Sequence, residues 1–315
     1  MVPISVRLRR ESFMALIITN FPAWYDLGVI SVFQAIILGL LQGVTELFPI
    51  SSLGHSVILP QLLGWDIHQN DPYFLTFLVA THLATATVLF LFFWNDWKKI
   101  IGGLARSLKA RYINPGDVHA KIGWLLVVGT IPAGLLGLLF QDALRKFFAS
   151  AQYAAFFLIV NGFVLLLAEK LRSNNEYLHG IQKESDQQIA KLSWPQALFV
   201  GSAQAGALFP GISRSGASMA GSLVAGLNNE NAARFAFLLA TPIIGAAALL
   251  KIPDLFSASV APMRTAIILG ALGAALTAYI SVKFLLKFFQ TNTLKPFAIY
   301  CLCAGTILSI YFAVK

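Results

Sequence analysis

Charged side chains are scarce in this chain of 315 residues, and their scarcity excludes a soluble globular protein. Asp, Glu, Lys and Arg together make up 12% of the sequence, about half of the roughly 25% that is usual in soluble domains. Hydrophobic residues make up 57%, and the mean hydropathy is +0.72. The composition indicates a polytopic membrane protein, and basic loops beside membrane spans explain the net charge of +9 better than nucleic-acid binding does.

Cysteine is also rare, which excludes a disulfide framework. The two cysteines, Cys301 and Cys303, are two positions apart in one apolar run, so on a helix they face apart and cannot pair with each other. No group of potential ligands has the spacing of a zinc site. The chemistry of this chain must therefore come from its few polar groups inside apolar segments.

Apolar runs of about 18 or more residues mark membrane-spanning helices. Two further apolar regions, 30–64 and 194–227, are each interrupted by a polar break, and their pieces are too short to span comfortably. Non-helical backbone at membrane depth must be shielded by protein or by a water-filled cavity. Each region is therefore predicted to form a re-entrant helix–loop–helix hairpin. The six predicted spans are 74–94, 121–141, 151–169, 231–250, 264–286 and 294–314.

The two broken regions repeat each other at an offset of 162 residues. The coinciding pairs are Gly39/Gly201, Gln42/Gln204, Ile50/Ile212, Ser51/Ser213 and Gly54/Gly216. Each half then has one hairpin and three spans, so the second half must begin on the opposite side of the membrane. The fold class predicted is an all-α polytopic membrane protein with an inverted-topology repeat, whose breaks meet near the midplane.

A single integral membrane domain is predicted for residues 29–315, after an N-terminal extension at 1–28. Its halves lie at about 29–170 and 194–315, and the polar linker between them, 171–193, is expected to be a solvated loop.

The orientation follows from the basic residues. Ten of the 23 Lys and Arg lie in the linkers near 95–121 and 170–193, and Arg234, Lys283, Lys287 and Lys295 bring the total on that predicted side to 14. The side richer in Lys and Arg faces the cytoplasm. The first hairpin and the C-terminus are then expected on the periplasmic side of the bacterial inner membrane.

The first break combines an amide, a carboxylate, two hydroxyls and an imidazole. Gln42 and Glu46 are four residues apart and share a helical face. Pro49 should end that helix at or just before Phe48. Ser51 or Ser52 can then cap the next helix, which places His55 in its first turn.

The second break supplies what the first lacks, which is a cation. Pro210 and Gly211 turn the chain, Ser213 or Ser215 caps the next helix, and Gly216 allows close backbone approach. Two helix N-termini form an anion site, and Arg214 adds a bidentate fork for phosphate. The two breaks together predict a diphosphate site within the membrane.

Ionisable groups inside a membrane are costly and therefore mark functional candidates. Glu46, His55 and Arg214 are such groups. Other interpretations stay open for their neighbours, because the serines could act only as caps and Gln42 and Gln204 only as packing contacts. His82 and Asn161, isolated polar groups in predicted spans, are assigned to contacts between helices.

Both breaks resemble the signatures of one family, the undecaprenyl-diphosphate phosphatases, also called bacitracin resistance proteins (UppP or BacA). Gln42-x-x-x-Glu46 followed by Pro-Ile-Ser-Ser-Leu-Gly-His55 is similar to the first signature, and Pro210-Gly-Ile-Ser-Arg-Ser-Gly216 to the second, through Ser218. The resemblance covers roughly residues 30–315. Position 42 takes the Gln option of the signature, which argues against a mechanism with two carboxylates.

The resemblance implies a membrane hydrolase that converts undecaprenyl diphosphate to undecaprenyl phosphate and inorganic phosphate. That reaction recycles the lipid carrier for peptidoglycan synthesis and confers bacitracin resistance. A divalent cation, Mg²⁺ or Ca²⁺, is the expected cofactor, with Glu46 as its candidate ligand. The expected partners are a polyprenyl diphosphate lipid and the bilayer, without nucleic acid; pairing into a homodimer is left open.

The resemblance assigns site residues in two groups. The catalytic candidates are Glu46, Ser51, Ser52, His55 and Arg214, and the substrate-binding candidates are Gln42, Gly54, Gln204, Gly211, Ser213, Ser215 and Gly216. Ser52 or Ser51 is the favoured nucleophile, activated by Glu46 or His55. Attack by His55 itself and direct attack by water stay open.

Two other functions compete with this interpretation. A type-2 phosphatidic-acid-phosphatase-like enzyme would need a second histidine after its Ser-Arg pair, and no histidine follows His179. A transporter or flippase of polyprenyl phosphate is the stronger alternative, because inverted repeats with broken helices are common in transporters. The concentration of ionisable groups around the breaks favours hydrolysis.

Overall fold

The computed structural model describes residues 30–68, 71–148, 150–176, 185–249 and 251–314, so the N-terminal extension predicted at 1–28 lies outside the described residues. Every regular element in these ranges is helical. The helices are α1 (Val32–Leu47), α2 (Ser52–Leu63), α3 (Pro72–Phe92), α4 (Trp94–Ala110), α5 (Val118–Phe148), α6 (Ala151–Glu176), α7 (Ser185–Ala190), α8 (Trp194–Ala205), α9 (Arg214–Val224), α10 (Asn229–Leu249), α11 (Ile252–Leu255), α12 (Arg264–Phe288) and α13 (Lys295–Val314), with 3₁₀ turns at Gly206–Leu208 and Ala258–Met263.

Six segments are long and apolar enough to cross a membrane, and they confirm the six predicted spans. Their ends lie within four residues of the predicted ones. The segments are Pro72–Phe92, Val118–Phe140, Ala151–Arg172, Asn229–Leu249, Val260–Phe288 and Lys295–Val314. The chain is therefore a multi-pass membrane protein.

Four shorter helices flank the two predicted breaks. Helix α1 ends at Leu47, as the position of Pro49 predicts, and α2 begins at Ser52. In the second copy α8 ends at Ala205, a 3₁₀ turn follows, and α9 begins at Arg214. Both copies are therefore helix–break–helix units.

The breaks lie about halfway along a membrane span. Asn161 is near the middle of the span Ala151–Arg172, and its side chain bonds both to Pro49 in the first break and to Ser213 in the second. Both breaks therefore lie beside the middle of this helix. The path of each hairpin relative to a bilayer, and the inverted orientation of the halves, stay predictions.

The two halves are interleaved by close helix contacts at glycine. A Cβ added to Gly39 on α1 would lie 2.0 Å from the carbonyl oxygen of Gly270 on α12. A Cβ added to its repeat partner, Gly201 on α8, would lie 2.0 Å from the carbonyl oxygen of Gly129 on α5. The first helix of each half therefore packs against a span of the other half, which brings the breaks together.

Two linkers contain helices that the sequence analysis did not predict. The basic linker near 95–121 contains α4, whose buried stripe is Trp97, Ile100, Gly103 and Ser107. These positions are three to four residues apart, as on one face of a helix. Exposed charged residues lie between them, so the spacing is hard to recognise in the sequence. The prediction of a solvated loop at 171–193 is wrong for its described ends, because α6 continues to Glu176 and α7 buries Ile189.

Arg234 on α10 contacts both linkers at one end of the helix bundle. Its guanidinium donates at 2.5 Å to Asp96 on α4 and at 2.5 Å to Asp186 on α7. Burial opposes ionisation of Asp186, but Arg234 prevails and holds the pKa of Asp186 below its usual value. The two basic linkers thus share one end of the helix bundle.

Candidate active site

The centre of the site is the buried carboxylate of Glu46, which lies at the end of α1. Arg214 donates to its Oε1 atom. Its Oε2 atom accepts from Gln42 Nε2 at 2.9 Å and from Ser52 Oγ at 2.5 Å, and His82 Nε2 lies 3.2 Å away. These four side chains come from four helices, so the carboxylate joins α1, α2, α3 and α9.

The local sequence around Glu46 explains why Ser52 reaches it. Gln42 and Glu46 stand one helical turn apart on the same face of α1. Pro49 stops the helix, and the chain turns over residues 48–50 before α2 begins. This turn places the hydroxyl of Ser52, the first residue of α2, 2.5 Å from Glu46 in the last turn of α1.

The two breaks satisfy each other's backbone hydrogen bonds. Ser51 Oγ accepts from Gly54 N–H at 3.2 Å within its own break and from Gly211 N–H at 3.1 Å in the other. In return Ser215 Oγ donates to the Phe48 carbonyl at 3.1 Å. Buried backbone groups that lack partners are costly, so neither break is stable at this depth without the other.

Asn161 completes this exchange. Its Nδ2 donates to the Pro49 carbonyl at 2.9 Å, and its Oδ1 accepts from Ser213 N–H at 3.0 Å. The predicted role of Asn161 in contacts between helices is therefore confirmed.

Ser213 is the predicted cap of α9, and its Oγ accepts from Gly216 N–H at 3.1 Å. Ser51 caps α2 in the equivalent way. Both predictions named a pair of serines, and in both copies the earlier serine is the cap.

Close approach of the breaks depends on three glycines. Gly211 has a φ of +104°, and a Cβ there would lie 2.3 Å from the Ala154 carbonyl oxygen. A Cβ on Gly54 would lie 3.0 Å from Gly211, and one on Gly216 would lie 3.2 Å from Pro49 Cβ. These residues bring the N-termini of α2 and α9 side by side.

The paired N-termini and Arg214 form a site suited to an anion. By helix geometry, the N–H groups of Ser52 and Leu53 on α2, and of Arg214 and Ser215 on α9, have no acceptor within their helices. Such groups carry a partial positive charge and bind phosphate. The Arg214 side chain is 22% exposed whereas that of Glu46 is 3% exposed, so the cation is accessible and the carboxylate lies beneath it.

Two candidates from the sequence analysis do not contact the Glu46 carboxylate. His55 approaches the Ser51 carbonyl through Nδ1 at 2.7 Å and the Tyr300 hydroxyl through Nε2 at 2.7 Å. Gln204 accepts from Ser218 Oγ at 3.4 Å, and its Nε2 is buried without a partner. Within the described contacts, neither His55 nor Gln204 bonds to the carboxylate.

His82 is the site residue whose importance the sequence analysis missed. It does contact another helix, as predicted, but its partner is the central carboxylate. The available signal was an ionisable group in the middle of an apolar span, since such groups are functional candidates by default.

The site offers a hard divalent cation only a few protein oxygen atoms as ligands among the residues that the structure describes. In the part of the chain that the structure describes, His, Cys, Asp and Glu form no group of three that could hold a metal. The Oε1 atom of Gln42 is buried without a partner beside Glu46. One carboxylate and one amide oxygen fit Mg²⁺ or Ca²⁺ that takes its other ligands from substrate phosphate and water.

These features define a class: a multi-pass membrane protein with a polar site, suited to an anion, between two broken helices. Residues 35–307 match the family described as Bacitracin resistance protein BacA. The chain therefore belongs to that family.

Curated relatives agree over nearly the whole chain. An undecaprenyl-diphosphatase of Mycolicibacterium paratuberculosis is 42% identical over 305 residues, covering 91% of this chain and 99% of the relative. The undecaprenyl-diphosphatase of Granulibacter bethesdensis is 45% identical over 280 residues, covering 86% and 94%. That of Gluconacetobacter diazotrophicus is 43% identical over 287 residues, covering 90% and 97%.

Proposed function

We propose that this chain is an undecaprenyl-diphosphate phosphatase, which releases the terminal phosphate of its lipid substrate as inorganic phosphate. The observation that carries the proposal is the contact of Glu46 with both Ser52 and Arg214, beside two helix N-termini. This arrangement joins an anion site to a proton acceptor and a hydroxyl nucleophile. The product, undecaprenyl phosphate, is the carrier lipid for peptidoglycan synthesis, and its regeneration confers bacitracin resistance.

Binding of the diphosphate involves both breaks. Arg214 and the free N–H groups at the starts of α2 and α9 hold the phosphoryl oxygens. The same donors stabilise the charge that develops on the transferring phosphoryl group. The apolar helices around the break accommodate the polyprenyl tail.

Hydrolysis begins with attack of Ser52 Oγ on the terminal phosphorus. Glu46 Oε2, at 2.5 Å, accepts the serine proton. The bond between phosphorus and the bridging oxygen breaks, and the bridging oxygen leaves as undecaprenyl phosphate, taking the proton from Glu46. Water then attacks the phosphoserine and gives its proton to Glu46, which passes it to the departing serine oxygen, so that inorganic phosphate is released and the serine hydroxyl is restored.

Ser52 suits this role better than the other candidates do. Ser51 Oγ already accepts two backbone N–H groups, and both ring nitrogens of His55 have partners away from Glu46. Direct attack of water, with Glu46 as base, is the competing mechanism.

A divalent cation is proposed as cofactor, with Glu46 and Gln42 Oε1 as its protein ligands. When bound it would neutralise charge on the diphosphate. Removal of metal by EDTA, followed by titration with MgCl₂ or CaCl₂, tests this proposal. Unchanged turnover after chelation would contradict it.

Localisation in the bacterial inner membrane is proposed, with the first hairpin and the C-terminus on the periplasmic side. The support is the concentration of Lys and Arg at the end of the bundle that contains α4 and α7. Labelling of cysteines introduced at the exposed positions Lys109 and Val314 by an impermeant maleimide tests it. A homodimer stays a prediction.

The function is tested by incubating purified protein in detergent with undecaprenyl diphosphate and measuring inorganic phosphate. Phosphate release that depends on Glu46 and Arg214 is expected. Absence of release, together with movement of the lipid across proteoliposome membranes, would favour the flippase alternative instead.

A further inference from the structure

His82 lies halfway along α3, and its ring reaches Glu46 from a helix that contributes to neither break. Its side chain is 23% exposed, whereas that of Glu46 is 3% exposed. His82 therefore stands at the accessible edge of the site, beside the carboxylate that is proposed to accept the serine proton.

The hydrogen bonds of His82 fix its orientation. Nδ1 lies 2.7 Å from the carbonyl oxygen of Leu78, one turn earlier on α3. A carbonyl can only accept, so Nδ1 carries a hydrogen atom and the ring is held against its own helix. The other nitrogen, Nε2, is thereby directed at Glu46.

The contact between Nε2 and Glu46 Oε2 measures 3.2 Å. At this distance the two atoms can share one hydrogen atom. His82 is therefore hydrogen-bonded to the same oxygen that Ser52 contacts.

We propose that His82 is a positioning residue for hydrolysis, which holds Oε2 of Glu46 against the hydroxyl of Ser52. This inference rests on the proposed function. The buried threonines nearest to His82 on α3 make no such contact, because Thr81 and Thr85 donate to carbonyls of their own helix. When Arg214 turns from Glu46 to the diphosphate, the bond from His82 keeps the carboxylate oriented for proton acceptance.

A pair of polar substitutions isolates the bond made by Nε2. In His82→Gln the amide nitrogen occupies nearly the position of Nε2 and can donate to Glu46. In His82→Asn the amide is too short to reach Glu46, although the residue stays polar and can still bond to Leu78. Thr85→Val serves as the control, because its hydroxyl is buried on the same helix and contacts only backbone.

Steady-state phosphate release from undecaprenyl diphosphate is measured for each purified variant, with thermal unfolding in detergent recorded beside it. Loss of an outer hydrogen-bond partner typically costs 10- to 100-fold in metal-site enzymes, so His82→Asn should lower kcat by roughly 10- to 100-fold and leave KM within about threefold. His82→Gln should recover most of the lost kcat, and Thr85→Val should match wild type.

A double-mutant cycle with Glu46→Gln tests whether His82 acts through Glu46. In the Glu46→Gln background, His82→Asn should cause no further loss. Wild-type kcat in His82→Asn, equal loss in both His82 variants, or the same factor of loss in both backgrounds would each overturn the inference. Wild-type protein that releases no phosphate would instead overturn the proposed function.

Discussion

Arg214 donates to the carboxylate of Glu46 across 168 positions of sequence, and this contact joins the two broken helices into one site. A carboxylate that accepts from several donors is a weak proton acceptor. A bound diphosphate would compete with Glu46 for the guanidinium. Removal of that donor would strengthen Glu46 as a base at the moment when the substrate arrives, so binding and activation would be coupled.

Substitution of the two partners of this ion pair should separate binding from turnover. Arg214→Ala should weaken diphosphate binding most, because it removes the bidentate cation. Glu46→Gln should lower kcat by about 10²- to 10⁴-fold with a smaller effect on binding, because it removes the proton acceptor. Binding of non-hydrolysed substrate analogue and single-turnover rates measure the two effects. The reverse pattern would contradict the assigned roles.

Ser52→Ala should abolish the covalent intermediate. Rapid quenching of wild-type enzyme mixed with substrate labelled in the terminal phosphate should trap label on the protein, and Ser52→Ala should trap none. Ser51→Ala is the matched comparison. Ser51 stands at a φ of +73° and its hydroxyl holds two N–H groups, so this variant should unfold more easily yet still trap label. Full turnover in Ser52→Ala would establish direct attack by water.

Gly211→Ala should destabilise the protein far more than Gly226→Ala does. Both glycines have positive φ, +104° and +100°, which costs an L-residue about 1–2 kcal/mol. A Cβ at Gly226 meets open space, whereas one at Gly211 lies 2.3 Å from the Ala154 carbonyl oxygen, and such overpacking adds about 1–3 kcal/mol. Thermal unfolding in detergent measures the difference, and equal midpoints would show that the breaks do not pack as closely as described.

Asn161→Ala should loosen both breaks together. It leaves the Pro49 carbonyl and the Ser213 N–H without the amide partner, and each unsatisfied buried group costs about 1–3 kcal/mol. Both the unfolding midpoint and phosphate release should fall. Thr87→Val is the control, because its exposed hydroxyl bonds only to its own helix. A wild-type midpoint in Asn161→Ala would exclude the proposed bridge.

Much of the fold could be predicted because spanning helices follow directly from long apolar runs. Pro49 and the serine caps likewise act through local backbone geometry, so the C-terminal end of α1 and the starts of α2 and α9 were predictable. Helix α4 was not predicted, because charged residues lie between its buried positions and make the segment as a whole polar. Helix α7 was missed because only six residues form it, and contacts with Arg234 hold it.

The site divides in the same way. The sequence by itself determined which polar residues lie in the breaks, since ionisable groups in apolar segments stand out. Only the tertiary structure decided how they combine: His55 turns to Tyr300, His82 turns to Glu46, and Ser52 rather than Ser51 meets the carboxylate. The physical reason is that direction and distance between separate helices depend on packing, which spacing along one chain does not specify.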